Sequence, residues 1–168
     1  PLGVVSALTQ NRLPDRSITI FVFIGFAIPS FWLALMLMYW TGVSHTWLPI
    51  SGLHSLGAEK LSYFYQLIDS LKHLTLPILI SGLTGLAGIS LFVRNGMLDV
   101  LHQDYITTAR AKGLPEHTVV YKHALRNALL PLITIFGLSI PGLIGGSVIA
   151  ESIFAIPGMG KLFYDAVL

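Results

Sequence analysis

Three long stretches without a charged residue limit what this chain can fold into. Ile18–Val43 has twenty-six residues, Leu74–Val93 has twenty and Asn127–Ala150 has twenty-four, and none contains Asp, Glu, Lys, Arg or His. A helix needs about 20 apolar residues to cross a hydrocarbon core of roughly 30 Å. A soluble domain of 168 residues has no interior large enough to hide three such runs. Charged residues make up 11% of the chain, against roughly a quarter in soluble domains. The expected fold class is an all-α membrane protein, a polytopic helical bundle.

Taken in order, Pro1–Leu8 (PLGVVSAL) has no initiator methionine or basic leader and reads as the tail of an earlier span. The chain is accordingly expected to be a piece of a longer protein, lacking earlier spans and a last one. Thr9–Ser17 is a short polar connection with Arg12 and Arg16 against Asp15. The first span, 18–43, is expected to kink at Pro29, and Tyr39, Trp40 and Trp47 gather near its far end, where amphipathic aromatics favour the interface. Ser44–His73 is a loop in which Lys60 and Lys72 balance Glu59 and Asp69. In the second span, 74–93, Gly82, Gly85 and Gly88 recur every third residue, a pattern that allows another helix to approach closely. Glycine is also frequent in membrane helices generally. The third span, 127–150, is expected to bend at Pro131 and Pro141. Glu151–Leu168, built around Pro157–Gly160, is expected to dip into the interface.

Orientation follows from the basic residues. The 9–17 loop carries two and the 94–126 loop carries five: Arg94, Arg110, Lys112, Lys122 and Arg126. The other side has Lys60 and Lys72 spread over thirty residues, plus Lys161. Loops 9–17 and 94–126 are therefore expected to be cytoplasmic, with 44–73 and 151–168 outside.

The long polar excursion, Asp104–Pro131, has a legible grammar. Gln103–Lys112 reads as a short helix with Tyr105, Ala109 and Lys112 spaced to share a face. Gly113 is placed just past its end, where a left-handed backbone costs glycine nothing. Pro115 sits where a second helix can start, and that helix is expected to run from about Glu116 to Arg126. A helix, a glycine corner and a helix at the membrane surface form a unit that another protein can grip. An interfacial helix pair that only holds the spans in register has the same local pattern.

The residues of this unit also carry a resemblance. Ala109–Gly113 (ARAKG), followed after nine residues by His123–Asn127 (HALRN), resembles the cytoplasmic loop motif of ABC-importer permeases, in particular the dipeptide, oligopeptide and nickel branch. The general motif is Glu-Ala-Ala, three residues, Gly, nine residues, Ile-x-Leu-Pro. Thr107-Thr108-Ala109 stands for the first triplet, Gly113 is retained, and His123-Ala124-Leu125-Arg126 stands for the last four. FAIPSFWLAL (Phe26–Leu35), WLPISG (Trp47–Gly52) and PGMGKL (Pro157–Leu162) extend the resemblance over essentially the whole chain. It implies one ABC-permease transmembrane domain over 1–168 in a bacterial cytoplasmic (inner) membrane, forming half of a pathway for peptides or a related small solute. It also implies an ATPase-coupling loop made of Asp104, Tyr105, Thr107, Thr108, Ala109, Arg110, Ala111, Lys112, Gly113, His123, Ala124, Leu125, Arg126 and Asn127. Within that loop Ala109 and Ala111 would allow close contact with the partner. The implied partners are ATP-binding cassette subunits, a second homologous permease and an extracytoplasmic solute-binding protein. ATP and Mg belong to the ATPase, and no cofactor is expected on this chain.

Catalytic patterns are missing from the sequence. There is no HExxH helix and no GxSxG elbow, and Gly158–Lys161 lacks the spacing of a phosphate loop. The six histidines are dispersed, so no metal site is expected, and the absence of cysteine excludes a thiolate one. Basic residues form no concentrated patch for nucleic acid. The spans carry none of the ionisable groups that ion-coupled carriers place near the midplane. That disfavours one alternative, an ion-coupled secondary transporter; a non-transporting membrane scaffold is the other, and a test of ATPase binding and ATP dependence separates both from an importer.

Overall fold

The computed structural model describes residues 1–168, except for the side chains at 143 and 144. Its elements are helices α1 (Leu2–Leu8), α2 (Leu13–Ala27), α3 (Ser30–Met38), α4 (Tyr63–Leu101), α5 (Asp104–Ala111), α6 (Glu116–Thr118), α7 (Leu125–Ala128), α8 (Leu130–Gly145), α9 (Val148–Ile153) and α10 (Met159–Val167). Helix α3 runs on as a wider π turn over Tyr39–Ser44, and α6 joins α7 through another over Val119–Ala124.

Helix α4 is much longer than its charge-free core. Its thirty-nine residues extend about 58 Å at 1.5 Å per residue, so the helix is longer than a hydrocarbon core of roughly 30 Å. The boundaries expected at Leu74 and Val93 mark where charge begins, not where helix ends, and Tyr63–His73 and Arg94–Leu101 belong to the helix. Among the described residues, helix α4 alone is long and apolar enough to cross a membrane. Two pairs meet the same test only when each is joined across a break: Leu13–Ala27 with Ser30–Ser44, and Glu116–Ala128 with Leu130–Gly142. Among the described residues, the chain thus makes up to three crossings by length and composition.

Prolines account for the breaks, though not always as kinks. Pro29 ends one helix and opens the next, standing before Ser30 with an extended ψ of 128°. Pro131 lies in the first turn of α8, where its missing N–H costs nothing. The bend there is 42° and falls at Leu129. Pro141 lies inside α8, which ends at Gly145 before the left-handed Gly146 (φ +69°). The third expected span is therefore divided: α7 precedes the bend, and α9 follows the break at Gly146 and Ser147.

The chain divides into two compact units, each with its own core. One contains residues 1–27 and 85–139. Its centre is Met97, Ile106, Val119 and Ala124, with Val4, Ala7, Val93, Ala109, Val120, Ala128 and Leu132 around them. A buried polar knot secures the same unit. Asp15 is paired with Arg94, not with its sequence neighbours Arg12 and Arg16. Arg94 donates from Nε and Nη2 to the two carboxylate oxygens at 2.9 Å each. Ser6 and Thr19 hydroxyls and the Asn11 amide also donate to Asp15.

Close helix contact in this unit occurs at glycines other than those singled out above. A Cβ on Gly3 would lie 2.5 Å from the Ser90 carbonyl and 2.8 Å from Val93 Cβ, and one on Gly96 would lie 3.0 Å from the Ala128 carbonyl. Gly82, Gly85 and Gly88 meet nothing within 4 Å, so the close packing expected there is not made by the described residues of this chain. Gly3→Val is expected to cost about 1–3 kcal/mol through overpacking, read as a lower unfolding midpoint of the purified full-length protein.

The second unit contains residues 28–84 and 140–168. Ala34 and Met38 of α3, Leu76 and Ile80 of α4, and Phe154 after α9 form its core. The charges of the 44–73 segment pair differently from the expected Lys–acid balance. Asp69 accepts from the Ser55 amide and hydroxyl, at 2.8 and 2.6 Å, with His54 and His73 beside it. Trp40, His45 and Trp47 stack together, with ring centroids 4.7–5.2 Å apart.

Candidate functional site: the helix–glycine corner–helix loop

The polar segment after α4 folds into a compact unit around a few apolar residues, Ile106, Ala109, Val119, Val120 and Ala124, that are buried together. On α5, Ile106 is fully buried and Ala109 nearly so, and both pack with Met97, Val119, Val120, Ala124 and Ala128. The face that meets the rest of the chain is thus Ile106 and Ala109. Tyr105 and Lys112, expected to share a face with Ala109, are exposed. Ala109 is therefore occupied internally and is not available for close contact with a partner, whereas Ala111 is exposed.

Gly113 closes α5 as its spacing predicts. Its φ is +75°, in the left-handed region where a Cβ would crowd the following carbonyl. The Gly113 amide donates to the Arg110 carbonyl at 2.9 Å and the Leu114 amide to the Ala109 carbonyl at 3.4 Å. This paired closure satisfies carbonyls that the end of a helix leaves free. Pro115, with an extended ψ of 140°, then starts the second helix. That helix is not uniformly α-helical: three residues of α6 lead into the π turn, and α7 begins at Leu125.

Two polar contacts fasten the corner. Arg110 forms a two-pronged pair with Glu116 across Gly113, Nη2 to Oε1 at 2.8 Å and Nε to Oε2 at 3.2 Å. The guanidinium hydrogen bonds hold the Glu116 carboxyl below its usual value. Both side chains are well exposed, so solvent screens the pair and its contribution is small. Asn127 Nδ2 donates to the Tyr105 hydroxyl at 2.8 Å and to the His123 carbonyl at 3.0 Å. Neither contact is legible from spacing, because the sequence gives no hint of how far the corner folds back.

The structure therefore brings the expected loop residues into one body but assigns them different faces. Asp104, Tyr105, Thr107, Thr108, Arg110, Ala111, Lys112, Gly113, Arg126 and Asn127 are exposed, His123 and Leu125 are half-buried, and Ala109 and Ala124 are buried. The result is an outward polar ridge on an apolar seat. Across all 168 residues the sequence matches the model of the family described as binding-protein-dependent transport system inner membrane component.

The chain belongs to that family. It is 49% identical to an oligopeptide transport system permease protein of Bacillus subtilis, covering 99% of this chain and 51% of that protein. A di/tripeptide transport system permease protein of Pseudomonas aeruginosa is 40% identical over 98% of this chain and 53% of its own length. A glutathione transport system permease protein of Salmonella typhi is 38% identical over 99% of this chain and 49% of its own length. The chain thus spans about half the length of these relatives. As a family member it is an inner-membrane component with an all-helical transmembrane fold. Among the described residues no group of three or more His, Cys, Asp or Glu is arranged to hold a metal ion.

Proposed function

We propose that this chain belongs to the membrane-spanning subunit of an ATP-driven importer, and that residues 104–127 are its contact with a separate ATPase. The observation that carries this reading is the exposed ridge of α5 on its buried seat, closed by the left-handed Gly113. A surface helix anchored by Ile106 and Ala109 is rigid enough to pass a push to the helices beneath it. Thr107, Thr108, Arg110, Ala111 and Lys112 remain outside for a partner. Arg110 is already engaged by Glu116, so Lys112 is the basic side chain better placed to meet an acidic group on the partner.

ATP and Mg would sit on that partner, whose closure would move α5 as a lever and switch the spans between inward- and outward-open states. A second permease would complete the pathway, and an external binding protein would deliver solute on the opposite face. The excess of Lys and Arg at 9–17 and 94–126 supports a cytoplasmic position for the loop. The relatives named for oligopeptides, di- and tripeptides and glutathione support peptides as the solute class.

The test uses the full importer in proteoliposomes. Cysteines at Thr108 and Lys112 are expected to crosslink to the ATPase subunit. Gly113→Pro is expected to cut solute uptake at least tenfold while ATP hydrolysis continues, because proline fixes φ near −65° and removes the amide that bonds Arg110. If those cysteines find no partner and uptake proceeds without ATP, the proposal fails.

A further inference from the structure

We propose that Tyr105 and Asn127 act as positioning residues: their hydrogen bond makes α5 and the helix leading into the next span turn as one body. The inference rests on the coupling role proposed above and specifies how motion leaves α5.

Helix α5 meets the rest of its unit in three ways. Ile106 and Ala109 make apolar contact with the core, which is adhesive but has no preferred direction. Arg110 and Glu116 are only six residues apart, so their pair stiffens the corner without reaching the span. Tyr105 and Asn127 are twenty-two residues apart, and their bond joins the first turn of α5 to α7. Hydrogen bonds are directional and fix orientation as well as distance. This one therefore resists the rolling of α5 on its seat that apolar contact alone permits.

The position of Asn127 strengthens the assignment. It is the penultimate residue of α7, two residues before the bend at Leu129 that leads into α8. Its Nδ2 spends one hydrogen on the His123 carbonyl, one turn earlier on its own segment, and the other on the Tyr105 hydroxyl. Because a carbonyl accepts only, it fixes which way round the amide sits and aims the second hydrogen at α5. A push on α5 is thereby delivered to the turn immediately before the chain bends into the apolar stretch. The Tyr105 hydroxyl is only an acceptor here, which leaves its own proton available on an exposed side chain.

The experiment compares wild type, Tyr105→Phe, Asn127→Ala and the double variant in the reconstituted importer, measuring solute taken up per ATP hydrolysed. Tyr105→Phe removes one oxygen from an exposed ring and leaves the apolar seat intact. Each single change is expected to lower the ratio about three- to tenfold, the range one neutral hydrogen bond supports. The double variant is expected to be no worse than the poorer single, because both remove the same bond. An unchanged ratio in Tyr105→Phe, or single effects that multiply in the double, overturns the proposal. Should Asn127→Ala fail to assemble, Tyr105→Phe decides alone.

Thr108→Cys crosslinking separates this inference from the one beneath it. A crosslink to the ATPase with an unchanged ratio in Tyr105→Phe rejects the clasp and leaves the coupling loop standing. Absence of a crosslink with Tyr105 intact, together with uptake that proceeds without ATP, rejects both.

Discussion

Replacing Arg94 with alanine is expected to destabilise the protein by about 3–5 kcal/mol, the cost typical of stranding one partner of a buried ion pair. The Asp15 side chain is 5% exposed and that of Arg94 21%, so water replaces little of what either loses. With Arg94 gone, the Asp15 carboxylate keeps only the Ser6 and Thr19 hydroxyls and the Asn11 amide. Those neutral donors do not offset a charge held away from solvent. Asp15→Ala should be similarly severe, since Arg94 then retains only the Ser6 hydroxyl at 3.0 Å. The diagnostic result is the double variant, Asp15→Ala with Arg94→Ala, which should cost clearly less than the two singles added together. Unfolding midpoints of the detergent-purified full-length protein measure all three. Singles that shift the midpoint no more than Arg16→Ala, an exposed neighbour of Asp15, would show that the pair has no such role.

That knot also marks where sequence reasoning stops. Charge-free stretches reveal the membrane-crossing segments because burial in lipid requires a run of apolar residues whatever the tertiary structure. The Gly113 corner was legible for a similar reason: a left-handed residue after a short polar helix is a local demand, and glycine meets it locally. Arg94 and Asp15 lie seventy-nine positions apart, and nearer arginines at 12 and 16 offered an equally good local pairing. The ends of α4 were missed because a helix does not stop where lipid stops. Tyr63–His73 and Arg94–Leu101 continue it with stretches that mix charged residues with apolar ones, Met97 among them reaching the core. Glycine spacing is ambiguous for the opposite reason. A three-residue repeat says only that a smooth face exists, not what meets it, and in the first unit of this chain the close approaches fall at Gly3 and Gly96, where a second backbone arrives. The buried face of α5 depends on which residues reach the core: Ala109 lies on it, but Tyr105 and Lys112, spaced to join it, are exposed, and Ile106 supplies the side chain that fills it.

The second large effect is expected at Glu151, whose carboxylate serves two helix starts at once. Oε1 accepts from the Ser147 amide at 2.9 Å, at the beginning of α9, and Oε2 accepts from the Lys161 amide at 2.6 Å, in the first turn of α10. Each helix start presents unpaired N–H groups and the positive end of its dipole, so one negative group answers both. The Glu151 main chain closes the other end of α9. Its carbonyl accepts from the Ile156 amide at 2.9 Å, with Ala155 held in the left-handed region at φ +50°. Glycines make room for this arrangement: a Cβ on Gly146 or Gly158 would run into the carboxylate, and one on Gly160 would lie 2.8 Å from the Val148 amide. The Pro157–Gly160 segment, expected only to dip into the interface, is thus a turn wrapped around an acid. Glu151→Ala should strand both amides at about 1–3 kcal/mol for each one that water does not reach. Glu151→Gln should recover only part of the loss, since its amide end lacks the charge and turns one acceptor into a donor. Gly158→Ala should reproduce the defect by displacing the carboxylate. Hydrogen exchange across 146–168 of the full-length protein checks this: faster exchange at Ser147 and Lys161 in all three variants is expected. Unchanged protection at both amides in Glu151→Ala would mean that each helix start is held by something other than this acid.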